Sequence, residues 1–278
     1  MKKNRAFLKW AGGKYPLIED IRRHLPAGDC LIEPFVGAGS VFLNTDYDRY
    51  ILADINRDLI NLYGIVKERH LEFIRDARLL FDDEANQAHV FYLYRTEFNL
   101  CTDDYRRALL FLYLNRHCYN GLCRYNLRGE FNVPFGRYKK PYFPETELYR
   151  FADKAQRAIF VCEPYSKTLS NAPSGSVVYC DPPYVPLSAT ANFTAYHTNS
   201  FSQVEQQDLA VQAYQLASGA AQVPVLISNH DTPETRQWYR QAQLHEVKVR
   251  RTISRNTLGR SSVNELLALF HYPGKTDS

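Results

Sequence analysis

The sequence has no long apolar run. None of its stretches approaches the roughly 18 consecutive apolar residues of a spanning helix, which excludes a helical membrane protein. Its six cysteines, Cys30, Cys101, Cys118, Cys123, Cys162 and Cys180, form no C-x-x-C pair, and no His cluster follows the closest two. Neither a metal site nor a disulfide framework is expected, and reduced thiols in a cytoplasm fit better. There is no G-x-S-x-G elbow, and the side chains of His230 and Asp231 diverge as chain neighbours, so Asn229-His230-Asp231 does not make a hydrolase. The basic start, Met1 to Phe7, lacks the apolar core of a secretion signal, so an unprocessed cytoplasmic protein is expected. There is no internal repeat and no low-complexity stretch. Charge is nearly balanced, 34 Lys+Arg against 30 Asp+Glu in 278 residues, a net +4, so total charge does not select a partner. The hydrophobic fraction of 45% and charged fraction of 23% exclude general disorder.

The chain does carry an interrupted α/β pattern. Leu31 to Phe35 reads as a buried strand entering Val36-Gly37-Ala38-Gly39-Ser40. A helix is expected next, then a second strand, Tyr50 to Asp54, as in a parallel βαβ unit. From Arg57 to about Asn115 apolar residues recur at helical spacing. Periodicity stops between Arg116 and Lys140, where 122–126 and 131–135 can pair around Arg128-Gly129-Glu130 as a hairpin. Strand candidates resume at 158–162, 176–181, 223–228, 244–251 and 266–270, with a helix over 203–217. The expectation is a doubly wound, mostly parallel Rossmann-like sheet interrupted by a helical insertion with a hairpin. The expected divisions are 1–56 and 145–270 for the two parts of a catalytic domain, 57–144 for the insertion with its hairpin at 118–139, and 271–278 for a tail. Pro186 to Ser200, rich in small polar residues, is expected to be a loop.

Four motifs carry chemistry. Phe35 to Ser40 is a glycine turn after a strand, which lets a ligand approach the backbone closely. Asp54, ending the next strand, can accept from ribose hydroxyls. The third small residue of a dinucleotide site is replaced by Phe42, which disfavours NAD and leaves room for a smaller adenosine ligand. Asp181-Pro182-Pro183-Tyr184 follows a strand, at the end of the sheet where ligands bind. Asp181 and the Pro182 carbonyl are two acceptors for a planar exocyclic amine, and Tyr184 offers a flat face to a base. Adenine, cytosine, RNA bases and a glutamine amide all present such an amine. Finally, the stretch 116–140 holds Arg116, Arg124, Arg128, Arg137, Lys139 and Lys140 against Glu130 alone, interleaved with aromatics. Basic side chains reach phosphates, apolar tips can enter between bases, and Arg124 and Asn120 can read groove edges. Phe7 to Lys14, with Trp10, Gly12, Gly13 and two lysines, suits an anionic or carboxylated ligand.

These residues together resemble the Dam-type DNA adenine-N6 methyltransferases. The likeness runs from Phe7-Leu8-Lys9-Trp10-Ala11-Gly12-Gly13-Lys14 through Glu33-Pro34-Phe35-Val36-Gly37-Ala38-Gly39-Ser40 to Asp181-Pro182-Pro183-Tyr184. The stretch Tyr119 to Asn132 is similar to the hairpin of the enterobacterial enzymes. The resemblance implies S-adenosyl-L-methionine as methyl donor and double-stranded GATC as target, with the base flipped out and methylated by direct in-line displacement, without a metal. It implies Trp10, Lys14, Phe35, Gly37, Asp54 and Asp181 around the cofactor, and Asp181, Pro182 and Tyr184 around the adenine. Lys9 and Tyr138 would meet the first guanine, and Tyr119 and Asn120 the gap left by the flipped base. Leu122, Arg124 and Pro134 would read the second half-site. Arg116, Asn126, Asn132 and Arg137 would lie near phosphates. A monomer in solution is expected, bound to the nucleoid through DNA. Arg251, Arg255 and Arg260 receive no role.

Overall fold

The computed structural model describes residues 3–184, 201–249 and 263–272. The expected loop 186–200 lies outside them, as do Arg251, Arg255, Arg260 and most of the expected tail. In chain order the elements are α1 (Ile18–His24), β1 (Cys30–Glu33), β2 (Arg49–Asp54), α2 (Arg57–Arg78), α3 (Ala88–Leu100) and α4 (Asp104–His117). There follow α5 (Glu145–Ala155), β3 (Ala158–Cys162), α6 (Tyr165–Ser170), β4 (Ser176–Cys180), α7 (Gln203–Ser218), β5 (Val225–His230), α8 (Pro233–Trp238), β6 (Gln243–Val249) and β7 (Val263–Phe270). Among the described residues no helix is long and apolar enough to cross a membrane.

The strands form one seven-stranded sheet, ordered β3-β2-β1-β4-β5-β7-β6. The first five are parallel, and β7 runs antiparallel to both β5 and β6. Period-two alternation sends successive side chains to opposite faces. Leu31, Val177, Tyr179, Leu226 and Leu267 join the core shared with the α2, α4 and α5 side. Cys30, Ile32, Val178, Cys180, Ile227 and Ala268 join a second core with α7. Both faces are therefore covered, and β1 and β4 are buried along their whole length. From β1 the chain moves outward to β2 and β3; β4 and β5 lie on the other side of β1. The switch point between β1 and β4 is where open sheets of this kind take ligands.

Two local expectations are corrected. The connection from β1 to β2 holds no α-helix among its residues, only a 3₁₀ turn at Phe42–Asn44. Asn44 and Thr45 turn their side chains onto the carbonyls of Ser40 and Val41, and such local bonds compete with helix extension. The hairpin also lacks a regular ladder. It has two isolated antiparallel bridges, Cys118↔Phe135 and Tyr125↔Phe131. Helix α3 takes the place of a second strand partner. Asn99 receives the Phe131 N–H at 2.8 Å and donates to the Phe131 carbonyl at 3.2 Å, while Arg95 donates to the Val133 carbonyl.

Helix α2 begins at Asn56, whose side chain accepts from the N–H groups of Asp58 and Leu59, an N-cap that satisfies two orphan donors. Its stripe Leu59, Leu62, Tyr63, Val66, Phe73, Ile74 and Ala77 is buried. Helix α4 is buried on all sides from Ala108 to His117 and packs against α2 and α3.

Candidate active site and nucleic-acid interface

The carboxyl ends of β1, β2, β4 and β5 meet at the switch point. Gly37 takes φ 45, the left-handed region that glycine enters without cost. A Cβ there would come within 2.9 Å of the Trp10 indole nitrogen, so the missing side chain is what lets Trp10 lie against the turn. Asp54 ties the turn to the sheet: Oδ2 accepts from the Gly37 N–H at 3.1 Å and Oδ1 from the Asn56 N–H at 2.9 Å. Burial pushes the Asp54 pKa up, and these backbone donors oppose the shift. Each carboxylate oxygen has a second lone-pair site, so Asp54 can still take a ligand hydroxyl. Tyr63 donates to the Gly37 carbonyl at 2.5 Å. Phe35 stacks with Tyr165 at 5.4 Å.

Asp181 follows directly on β4. Its Oδ1 lies 2.9 Å from the Lys14 ammonium, which also donates to the Gly12 carbonyl at 2.8 Å and sits 4.3 Å from the centre of the Tyr184 ring. Lys14 is 6% exposed, so this is a desolvated ion pair with its remaining proton over an aromatic face. Burial raises the Asp181 pKa, and Lys14 and Ser228 act against it. Three residues that carried no signal in the sequence reading complete this edge. Ser228 donates to Asp181 at 3.0 Å. Glu265 accepts from the Tyr184 hydroxyl at 2.9 Å. Gln206, fully buried on α7, donates to the Pro183 carbonyl at 2.8 Å. Pro182 lies buried between these anchors. Only the register of β4 beside β5 could have pointed to Ser228; nothing local marks Gln206 or Glu265.

At the hairpin, Lys9 is held by Asn115, a buried residue absent from the sequence expectations. Asn115 accepts from the Lys9 N–H at 2.9 Å and donates to the Lys9 carbonyl at 2.7 Å. The Lys9 ammonium lies 3.8 Å over the Tyr138 ring, and burial beside Arg116 lowers its pKa. Gly121, at φ 65, leaves the space that Lys9 occupies: a Cβ would meet the Lys9 stem at 2.3 Å. Arg124 is held in place, its Nε donating to Asn132 Oδ1 at 2.7 Å. Asn126 closes the turn by accepting from Arg128 N–H and Glu130 N–H and donating to the Glu130 carboxylate. Tyr119, Asn120, Pro134 and Arg137 are exposed, and Leu122 and Tyr138 are half-buried. Tyr119 donates its N–H to the Pro134 carbonyl. Asn120 and Arg137 both take positive φ, 55 and 53. Arg116 does not stand with the exposed cations. It is 8% exposed, with its guanidinium on the carbonyls of Tyr142 and Phe7, which makes it a tie between segments in this structure.

A mostly parallel open sheet with a glycine turn and acid-tipped strands at its switch point, and an Asp-Pro-Pro-Tyr edge beside a basic hairpin, make a Rossmann-like α/β protein with its candidate site at the switch point. The chain belongs to the D12 class N6 adenine-specific DNA methyltransferase family, whose model matches residues 10–253. It is 76% identical over 270 residues to the protein named DNA adenine methylase of Serratia marcescens, covering 97% of this chain and 100% of that one. It is 68% identical over 272 residues to the protein of that name from Escherichia coli K12, covering 97% and 96%. For that of Vibrio cholerae O1 the identity is 59% over 270 residues, covering 97% of both chains. The protein is an enzyme that methylates adenine N6 in DNA.

Proposed function

We propose that the enzyme uses S-adenosyl-L-methionine to methylate adenine within double-stranded GATC, taking the target base out of the duplex into the pocket at Asp181. The observation that carries this reading is the Lys14 ammonium, lodged between the Asp181 carboxylate and the Tyr184 ring. The same carboxylate already accepts from a charged amine on one oxygen, and that amine lies against the flat face that a flipped adenine would use. The donor set also fits the methyl donor. Lys14 and Asp181 complement an α-amino acid zwitterion, the bare backbone at Gly37 allows close approach, and Asp54 can hold ribose hydroxyls. Trp10 and Phe35 offer aromatic surface beside the turn.

The cofactor supplies a methyl group on a sulfonium that is already a good leaving group. The chain has to make the adenine amine nucleophilic and hold it in line. Asp181 and the Pro182 carbonyl accept its two hydrogens, which favours a pyramidal nitrogen with a localised lone pair. Positioning and fixed dipoles do the rest. Extruding the base costs on the order of a few kcal/mol. Tyr119 and Asn120, exposed at the base of the hairpin beside the Cys118↔Phe135 bridge, are placed to fill the gap. Lys9 and Tyr138 read the first guanine, and Leu122, Arg124 and Pro134 the second half-site. Arg137, with Asn126, Asn132 and Arg116, serves the backbone, the last three by shaping the hairpin and its base. Residues 57–144 act as the recognition unit between the two parts of the catalytic domain. The enzyme works as a cytoplasmic monomer on the nucleoid.

The test is restriction of DNA from cells expressing the chain, with enzymes that respond to adenine methylation in different contexts. Protection confined to GATC is expected. Protection in another tetranucleotide removes the GATC reading, and methyl transfer without S-adenosyl-L-methionine removes the cofactor.

A further inference from the structure

Asp181 has two oxygens, and the structure treats them differently. Among the described residues its side-chain hydrogen bonds all fall on Oδ1: Lys14 at 2.9 Å and Ser228 at 3.0 Å. Ser228 is fully buried on β5 and stands abreast of Asp181, since β4 and β5 are paired through Cys180↔Ile227. The strand period places Tyr179 on the same face as Asp181, and the Tyr179 hydroxyl lies 2.9 Å from the Ser228 hydroxyl. The direction of this chain follows from its end. Ser228 has two acceptors in reach, Asp181 Oδ1 at 3.0 Å and the Cys180 carbonyl at 3.5 Å; neither can donate to it, so its single proton goes to the nearer, charged carboxylate and Tyr179 donates to Ser228.

We propose that Ser228 is a positioning residue for methyl transfer, which with Tyr179 behind it fixes Oδ1 of Asp181 and so presents Oδ2 to the adenine amine. This rests on Asp181 being the acceptor of that amine. A carboxylate held on one oxygen cannot rotate away when a base enters, and the acceptor is then in place before the transition state forms. Both hydroxyls are buried, so neither is exchanged for water at the moment of reaction.

Ser228 also keeps Asp181 ionised. Burial alone raises the Asp181 pKa, and the Ser228 donor lowers it. The other titratable groups facing this position are Lys14 before α1, Glu33 on β1, Tyr179 and Cys180 on β4, Tyr184 after it, His230 on β5 and Glu265 on β7. Removing the hydroxyl therefore moves the acid limb of the pH–rate profile to higher pH.

The experiment uses the full chain with S-adenosyl-L-methionine and a duplex holding one GATC site. Single-turnover methylation is measured across pH for Ser228→Ala, Ser228→Thr, Tyr179→Phe and Asp181→Ala, with separate dissociation constants for cofactor and duplex. Ser228→Ala should lose about 10- to 100-fold in rate, the range for a hydrogen bond to a charged group, with both dissociation constants unchanged. Its acid limb should rise. Tyr179→Phe should shift rate and limb the same way by less, and Ser228→Thr should restore both. A Ser228→Ala rate loss matched by weaker binding, with an unshifted acid limb, overturns the proposal in favour of packing. Should Ser228→Ala fail to fold, Tyr179→Phe decides: an unchanged rate and profile overturn it. If Asp181→Ala is inactive while Ser228→Ala and Tyr179→Phe match the parent, the relay alone fails. If Asp181→Ala stays active, the assignment of Asp181 itself fails.

Discussion

The sheet edge around Asp181 and the hairpin around Arg124 differ in what holds them. At the sheet edge Asp181 follows β4, buried along its whole length, and Asp54 ends the half-buried β2. Backbone donors grip Asp54, and a desolvated ammonium grips Asp181. At the hairpin the backbone has almost no ladder, and helix side chains clamp it: Asn99 on Phe131, Arg95 on Val133, and Asp58, itself paired with Arg107 of α4, on Tyr125. The first arrangement fixes the two carboxylates in place. The second fixes the hairpin's place while leaving Tyr119, Asn120 and Arg137 exposed to meet a partner. In the function proposed above, chemistry that depends on fractions of an ångström sits on strands, and recognition that must enter a groove sits on a clamped loop.

The largest expected effect breaks the comparison on the sheet side. Asp181→Ala should lower the methylation rate by at least about 100-fold, as loss of a preorganised electrostatic group does, with duplex binding retained. Rapid-quench methylation beside a gel-shift titration checks it; a parallel loss of both would mean that the two regions are not separable.

Asp58→Ala attacks the clamp. Asp58 is 7% exposed and bonds both Arg107 and Tyr125. Leaving the partners of this partly buried carboxylate without their acceptor costs about 1–3 kcal/mol. Stability should fall accordingly in urea, and amide exchange should rise around Tyr125 while Asp54 and Gly37 stay protected. Uniform loosening would contradict separate support.

Glu33 sharpens the comparison through pH. It is 2% exposed at the end of β1, and burial raises its pKa from 4.5 to about 8. Below pH 4.5 it is protonated in both states and stability is full. Between 4.5 and 8 the unfolded chain ionises first, so stability falls as pH rises through that window and then levels off. The loss is on the order of a few kcal/mol. Glu33→Gln should flatten this slope, seen as a higher melting temperature at pH 8 and an unchanged one at pH 4. An unaltered slope would place the titration elsewhere.

The smallest effects separate two arginines within the hairpin. Arg124→Ala should cost about 1–3 kcal/mol of discrimination at one base pair. Arg137→Ala should weaken all sequences alike and reduce the salt slope by about one unit. Methylation of the preferred site and its single-base variants at several salt concentrations tests both, and identical behaviour would reduce the hairpin to a basic clamp.

Local chemistry made much of this molecule legible from its residues. Glycines after an apolar run, acids ending strands, two prolines after Asp181 and cations crowded between 116 and 140 each act over a few residues. They located the switch-point turn, Asp54, the Asp181 edge and the hairpin before any coordinates. The α-helix expected between β1 and β2 failed for a local reason as well, the side-chain bonds of Asn44 and Thr45 to the turn behind them. What the sequence did not reveal depends on distant segments meeting. Asn115 reaches Lys9 across the chain, Asn99 stands in for a strand, Arg116 is spent on the carbonyls of Phe7 and Tyr142, and Gln206, Ser228 and Glu265 converge on Asp-Pro-Pro-Tyr from α7, β5 and β7. Sequence alone determined which groups this protein could offer a ligand, because that is a matter of residue type and short-range backbone geometry. Tertiary structure alone decided which of them are free, paired or buried, because desolvation and hydrogen-bond satisfaction depend on whatever the fold packs against them.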